Sequence, residues 1–288
     1  MAPAAGLSPI IRPHYAAIVM DASTREVLYA NAADEIRYPA SITKVMTLFL
    51  TFDALESGRL KLDDQVPISR HAASQRPSKL GLAPGRSISV REAIEVVAVK
   101  SANDIAVALA EKIGGSEAAF ARMMTNKARM LGMKATYFSN ASGLNDASNF
   151  TTARDLAILS ASILAAHPDR YSYFSMRTAS YGKQRFANHN PLLGLDGVDG
   201  IKTGFTNDAG YTQAASAVRG GRRLITVVMG EPSVAARSRD LTALLNAGFA
   251  VLEKRAKGVF TSVAANLPDI DHPALRTVPG YVQGSSEY

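Results

Sequence analysis

The chain contains no cysteine. That excludes disulfides, thiol nucleophiles and Cys-ligated metals, and it leaves the cellular compartment open. No run approaches the roughly 20 consecutive apolar residues of a membrane-spanning helix. The opening Met1-Ala2-Pro3-Ala4-Ala5-Gly6 lacks the charged and apolar regions of a signal peptide, so either the protein is cytoplasmic or a leader has been removed. The net charge is +7, yet no dense Lys/Arg block and no basic stretch interleaved with aromatics occurs. The excess is therefore read as spread over the surface. An anionic partner such as a wall polymer suits it, and nucleic acid is not expected. His14, His71, His167, His189 and His272 show no H-E-x-x-H and no paired spacing, which disfavours a metallohydrolase. A G-x-S-x-G motif is also missing, so a Ser-His-Asp hydrolase has no support. There is no internal repeat and no low-complexity segment.

What remains is a composition of 47% hydrophobic and 20% charged residues over 288 positions. That fits a soluble globular fold with a substantial core and one or two domains. Two β-rich runs, Tyr15 to Met20 and Glu26 to Ala30, flank a polar turn and predict a hairpin. An apolar helix runs from Ser41 to near Gly58. Residues 59–89, rich in Gly, Pro and Ser, read as loops with short turns. Helices follow over Val90 to Val99 and Ile105 to Ile113, with a tight polar connection at Lys100 to Asp104. Another runs from Ser116-Glu117 to Met130, and a fourth from Ala153 to Ala166 behind a Thr151-Thr152 cap. Residues 135–150 are loop-like, and 171–196 carry short strands and turns. Val198 to Gly204 reads as a strand. Tyr211 to Val218 and Arg222 to Met229 form a hairpin about Gly220-Gly221. A last helix spans Ser233 to Lys254, and Leu267 to Tyr288 reads as a tail. N- and C-terminal strands can share one antiparallel sheet with helices grouped around it, an α+β arrangement.

Within Pro39-Ala40-Ser41-Ile42-Thr43-Lys44, Ser41 and Lys44 lie at i and i+3, one turn apart on one helical face. A neutral amine there can take the hydroxyl proton as the hydroxyl attacks a carbonyl. Burial of the following apolar helix desolvates the lysine and lowers its pKa. The competing reading is a helix N-cap serine with a solvated first-turn lysine. S-x-x-K arises by chance about once in a chain of this length, and Ser180-Tyr181-Gly182-Lys183 also fits. Two further motifs change the balance. Ser101-Ala102-Asn103 sits in the helix connection, and Lys202-Thr203-Gly204 sits on the strand. The second is rare, with about 0.06 expected by chance. The order S-x-x-K, S-x-N, K-T-G is the triple of β-lactamases and penicillin-binding proteins.

Tyr38 to Thr47, Ser101 to Asp104, Val198 to Thr206 and Ala209-Gly210-Tyr211 together resemble the serine D-Ala-D-Ala carboxypeptidases, the low-molecular-mass penicillin-binding proteins. The resemblance covers roughly residues 10–255. It implies a β-lactamase/transpeptidase-like fold, with a five-stranded antiparallel sheet flanked by helices, a helical subdomain and the site between them. It divides the chain into a catalytic domain over residues 10–256 and a tail over 257–288.

It also implies roles. Ser41 is the nucleophile and Lys44 its base, with Lys202 helping to keep Lys44 neutral. Ser101 relays a proton to the leaving amine, and Asn103 hydrogen-bonds the substrate backbone. Lys202 and Thr203 meet the terminal carboxylate, Gly204 leaves room along the strand, and the backbone N–H groups of Ser41 and Phe205 form the oxyanion hole. Phe205 stands where relatives often carry His. Arg237, eleven positions before Gly248-Phe249, is assigned to the substrate carboxylate, with a surface ion pair as its alternative. His189 is read either as supporting the site or as an ordinary loop histidine.

The implied reaction is removal of the terminal D-alanine from a peptidoglycan stem peptide ending in D-Ala-D-Ala, with β-lactam antibiotics acylating Ser41. No metal or cofactor is expected. A class A β-lactamase shares the triple but deacylates with an E-x-x-L-N glutamate, which residues 104–201 lack. A DD-endopeptidase cutting crosslinks would use the same residues, and a non-catalytic penicillin-binding scaffold is a third reading. A wall substrate implies a removed leader and a periplasmic or extracytoplasmic site. Many relatives continue into a β-rich domain and a membrane anchor. Only about 30 residues follow the last helix here, so the expectation is a short member or a truncated chain, with membrane association only through a segment absent here.

Overall fold

The computed structural model describes residues 14–268. Most of the Leu267 to Tyr288 tail therefore lies outside the described residues, as do residues 10–13 of the expected domain.

The chain opens with β1 (Ala16–Asp21) and β2 (Val27–Asn31), then α1 (Thr43–Glu56). Next come β3 (Gln65–Pro67), α2 (Arg70–Ala73), β4 (Ser87–Ser89) and α3 (Val90–Val99). The helices α4 (Asn103–Gly114), α5 (Glu117–Leu131), α6 (Ala153–Ala166) and α7 (Ser172–Ser175) follow. The chain then forms β5 (Thr178–Tyr181), β6 (Gln184–Ala187), β7 (Val198–Thr206), β8 (Gly210–Arg219), β9 (Arg222–Glu231) and α8 (Val234–Ala256). Five strands make one antiparallel sheet in the order β2-β1-β9-β8-β7. The fold is α+β, as expected. Residues 59–89 are more ordered than their composition suggests. The pairs Gln65–Ser89 and Pro67–Ser87 join β3 to β4, and Ser69 caps the one-turn α2.

The period-2 rule explains how the sheet is covered on both faces. In β1, Ala16, Ile18 and Met20 enter the core shared with α1, α3, α4 and α6, while Ala17 and Val19 enter the core under α8. In β9, Ile225, Val227 and Met229 join the first core, and Leu224 and Val228 the second. A strand sandwiched in this way is apolar at nearly every position, and β1 is buried at all six. Helix α1 is equally enclosed, with Val45, Met46, Leu48, Phe49 and Phe52 all buried. Each such side chain contributes roughly 1.5–3 kcal/mol by leaving water. The helix boundaries follow capping chemistry. Ser89 and Glu92 form a reciprocal capping box on α3, and Ser116, Thr152 and Ser233 cap α5, α6 and α8.

Two consequences place the site. β7 is an edge strand, so its outer row of backbone groups has no further strand beside it. The N-terminal end of α1 abuts that edge through a 3-10 turn, Ala40–Ile42.

Candidate active site

Ser41 sits in the 3-10 turn rather than in the α-helix proper, and its side chain caps nothing. The N-cap reading is therefore set aside. The turn is tight. Ala40 has φ +46°, and Gly143 (φ +80°) packs so closely that a Cβ there would collide with the Ala40 carbonyl. Lys44, one turn on, is fully buried. Its Nζ lies 2.9 Å from Ser41 Oγ, 2.7 Å from Asn103 Oδ1 and 2.6 Å from the Ser142 carbonyl oxygen. Burial holds the Lys44 amine well below its ordinary pKa, the charge on Lys202 lowers it further, and Asp104 works the other way.

The Ser101-Asn103 corner is the junction of α3 and α4. Ser101 has φ +63°, a conformation non-glycine residues seldom adopt. Its Oγ is buried, has no hydrogen-bond partner among the described residues, and belongs to a residue lining the cleft. Asn103 accepts from Lys44 and donates through Nδ2 to the Arg76 carbonyl at 2.9 Å. The Asp104 carboxylate accepts from the backbone N–H groups of Leu80 and Gly81 at 2.9 and 2.8 Å. The Asn103 N–H donates to the Ser78 carbonyl at 2.7 Å. The loop over Arg76 to Gly81 is thereby tied to α4 and forms one wall.

The opposite wall is β7. Lys202 is buried, with Nζ donating to the Thr203 carbonyl at 3.0 Å. Burial, and secondarily Arg237, push its pKa down to about 7. Gly204 has a steric reason within the fold itself. A Cβ there would meet Thr212 Oγ1 at 2.7 Å and Ser41 N at 2.9 Å, so the missing side chain lets β7 approach the Ser41 turn. Phe205 is half exposed and packs on Tyr211, with ring centroids 4.3 Å apart. Arg237, in the first turn of α8, is 3% exposed, and among the described residues its Nε and Nη2 have no hydrogen-bond partner. It is thus a buried cation and not a surface ion pair. Burial lowers its pKa to about 10, against the opposing influence of Tyr211 and Glu231.

These walls enclose a cleft of about 350 Å³ lined by Ser41, Ser101, Asn103, Thr203, Phe205 and Arg237, among others. His189 reaches its mouth, held by the Asn188–Asn190 turn. Gln213 Nε2 donates to Asn190 Oδ1 at 2.8 Å. Burial, then Lys202, Lys100 and Arg237, lower the His189 pKa. The structure thus brings together all nine residues picked from the sequence. The chance motif Ser180–Lys183 falls in the β5–β6 hairpin, outside the cleft. Sequence reasoning missed the Ser142 carbonyl, Gly143, Ser78, Leu144 and Val234. A backbone acceptor carries no residue signature, and the others belong to no motif. A histidine and two carboxylates do converge elsewhere. His167 lies 3.0 Å from Asp53 and 3.4 Å from Glu56 at the far end of α1, but Asp53 already pairs with Lys127 at 2.7 Å.

The arrangement combines a hydroxyl, a buried amine of lowered pKa at hydrogen-bond distance, a second buried amine and a guanidinium with two nitrogens unpartnered among the described residues. It can activate a nucleophile beside a carboxylate-bearing ligand.

Comparison with known proteins agrees. Residues 11–233 match the model of the D-alanyl-D-alanine carboxypeptidase family. The D-alanyl-D-alanine carboxypeptidase DacF of Bacillus subtilis is 37% identical over 247 residues, covering 82% of this chain and 62% of that protein. The chain therefore spans about three fifths of the length of the curated relatives it matches first. Penicillin binding protein 5 of Haemophilus influenzae superposes with a TM-score of 0.79 at 36% identity, over 85% of this chain and 73% of that one. Penicillin-Binding Protein D2 of Listeria monocytogenes, in its cefotaxime-bound form, gives 0.74 at 36% identity, over 81% and 96%.

Proposed function

The chain belongs to the D-alanyl-D-alanine carboxypeptidase family, and from that premise we propose that it is a serine DD-carboxypeptidase acting on peptidoglycan stem peptides. The observation that carries the reading is the buried Lys44 amine, its pKa held well below the ordinary value, 2.9 Å from Ser41 Oγ, in a cleft that also holds Arg237, whose Nε and Nη2 have no partner among the described residues.

The Ser41 hydroxyl attacks the carbonyl between two D-alanines, and Lys44 takes its proton. The oxyanion forms against the backbone N–H groups of Ser41 and Phe205, where each donor lowers the barrier by roughly 3 kcal/mol. Ser101 passes a proton to the departing amine, and the terminal D-alanine leaves. Water then hydrolyses the acyl-enzyme, with the same lysine as base. Arg237, with Lys202 and Thr203, grips the terminal carboxylate, because an Arg fork matches a carboxylate in two parallel hydrogen bonds. The Asn103 side chain is already spent on Lys44 and Arg76. Its first role is therefore to hold the base, with contact to the substrate backbone through its remaining amide hydrogen.

β-Lactams acylate Ser41 in the same way. With no E-x-x-L-N glutamate in residues 104–201, the acyl-enzyme persists. A wall substrate calls for a site of action outside the cytoplasmic membrane. Among the described residues no helix is long and apolar enough to cross a membrane. The catalytic unit is taken as residues 10–256.

The test is the intact mass of wild type and Ser41→Ala after mixing with benzylpenicillin, followed by D-alanine release from a pentapeptide. A single adduct on wild type alone, with D-alanine released, supports the reading. No adduct and no penicillin consumed would sink it and favour a non-catalytic scaffold.

A further inference from the structure

Beside Arg237 lies a buried acidic pair that the mechanism does not use. Glu231 ends β9, and Asp240 sits on α8. They are 1% and 0% exposed. Among the described residues neither oxygen of Glu231 accepts from an N–H or O–H donor, and its side chain meets that of Asp240 instead. Asp240 also receives Arg239 Nε at 2.9 Å from the solvent side. Tyr211, which lines the cleft, is the cross-strand partner of Glu231, so both side chains lie on one face of the sheet. Other groups face the Glu231–Asp240 pair from each neighbouring element. Tyr15 comes from the chain before β1, Tyr29 from β2, Tyr211 from β8, and Arg237, Arg239 and Asp240 from α8.

This arrangement is unusual in one respect. A buried guanidinium with two free N–H sites and a buried carboxyl with two free oxygens are near neighbours, yet they do not pair. Two carboxylates in contact inside a protein cannot both ionise cheaply, so such a pair retains one proton. We propose that Glu231 is a positioning residue for Arg237: by sharing one proton with Asp240 it stays uncharged, and it thereby leaves the Arg237 guanidinium unpaired and directed at an anion in the cleft. This rests on the reading of Arg237 as the anchor for a substrate carboxylate. If Glu231 ionised, it would place a second carboxylate charge beside Arg237 and would compete with the substrate. Burial, reinforced by Asp240, raises the Glu231 pKa to about 8, so the competition begins in mildly alkaline solution.

The test titrates wild type, Glu231→Gln and Asp240→Asn from about pH 6 to 10 with two readouts. One is KM and kcat for D-alanine release from a blocked peptide ending in D-Ala-D-Ala. The other is the Nε–H NMR resonance of Arg237, identified by its loss in Arg237→Lys. In wild type KM rises about tenfold above pH 8 with less change in kcat, the size expected when one charge-assisted hydrogen bond to the substrate is broken. The Arg237 resonance moves with it. Gln cannot ionise, so Glu231→Gln lacks both changes. Asp240→Asn removes the repulsion that keeps Glu231 protonated, and shifts both to lower pH. Lys202 titrates near 7 in every variant, so only the differences between variants count. Identical KM profiles in all three proteins, with an Arg237 resonance indifferent to Glu231, would overturn the proposal. An Arg237 resonance that follows Glu231 in a protein releasing no D-alanine would uphold the pair and overturn the carboxypeptidase reading instead.

Discussion

Lys44 Nζ lies 2.9 Å from Ser41 Oγ, and its two other neighbours, Asn103 Oδ1 and the Ser142 carbonyl, are both acceptors. A neutral amine has two hydrogens and one lone pair. The two fixed acceptors take the hydrogens, so the lone pair is left facing the Ser41 hydroxyl, which then donates. The site therefore orients its base as well as neutralising it. Asn103→Ala should free one amine hydrogen to rotate toward Ser41. We expect Ser41 acylation by benzylpenicillin to slow by about 10- to 100-fold, within the range of general-base effects. Acylation at the wild-type rate would refute the orienting role.

Lys44→Arg separates charge from base. Arginine keeps its proton in any protein environment, so it cannot accept one from Ser41. Acylation should fall by roughly 10²- to 10⁴-fold, as for loss of a general base. The check is stopped-flow or mass-resolved acylation of folded protein.

Arg237→Ala removes a buried fork with two unused donors. A hydrogen bond to a charged group contributes roughly 1.5–3 kcal/mol, which predicts a KM about 10- to 100-fold higher. The loss should be confined to peptides ending in a free carboxylate. A C-terminally amidated peptide should distinguish wild type from variant hardly at all, and equal losses on both would remove Arg237 from the carboxylate site.

The chemistry was legible because it is carried by side chains at fixed short spacings. Ser41 with Lys44, Ser101 with Asn103, and Lys202 with Thr203 each sit within one turn or one strand step, so local geometry survives in the sequence. The sheet was legible for the same reason, as β1, β8 and β9 are apolar runs ended by turn residues. Residues 59–89 were less so, because β3 and β4 have three residues each and pair across about twenty positions. Nothing local marks the Ser142 carbonyl as a ligand of Lys44. Nothing local marks Glu231 and Asp240 as partners either, since only the packing of α8 on the sheet joins them.

Gly143 tests how far the loop over 140–150 shapes the nucleophile. It has φ +80°, and an added Cβ would run into the backbone of Ala40, next to Ser41. The left-handed conformation alone costs an alanine about 1–2 kcal/mol. Gly143→Ala should lower Tm by several degrees and also slow acylation more than tenfold, because the Ser41 turn must shift to relieve the contact. A variant that loses stability but acylates normally would show that the turn is set by β7 alone.

Lys202 should cost the fold stability at the pH where it serves the site. Its folded pKa, about 7, lies below the value near 10.4 expected in the unfolded chain. Between those values the unfolded state binds more protons, so unfolding free energy rises with pH, by at most about 1.4 kcal/mol per unit for one such group. Below pH 7 both states are protonated and the full cost of burying the charge remains. Lys202→Met has similar volume and no charge, and it gives up one hydrogen bond to the Thr203 carbonyl. The variant should therefore melt higher than wild type at pH 6, and the gap should narrow as pH approaches 10. Lys44 imposes a slope of the same sign in both proteins and largely cancels in the difference. Melting temperatures that stay a constant distance apart from pH 6 to 10 would mean that Lys202 keeps an ordinary pKa in the fold. It would then remain cationic across that range, and its charge would hold the Lys44 amine neutral equally at every pH.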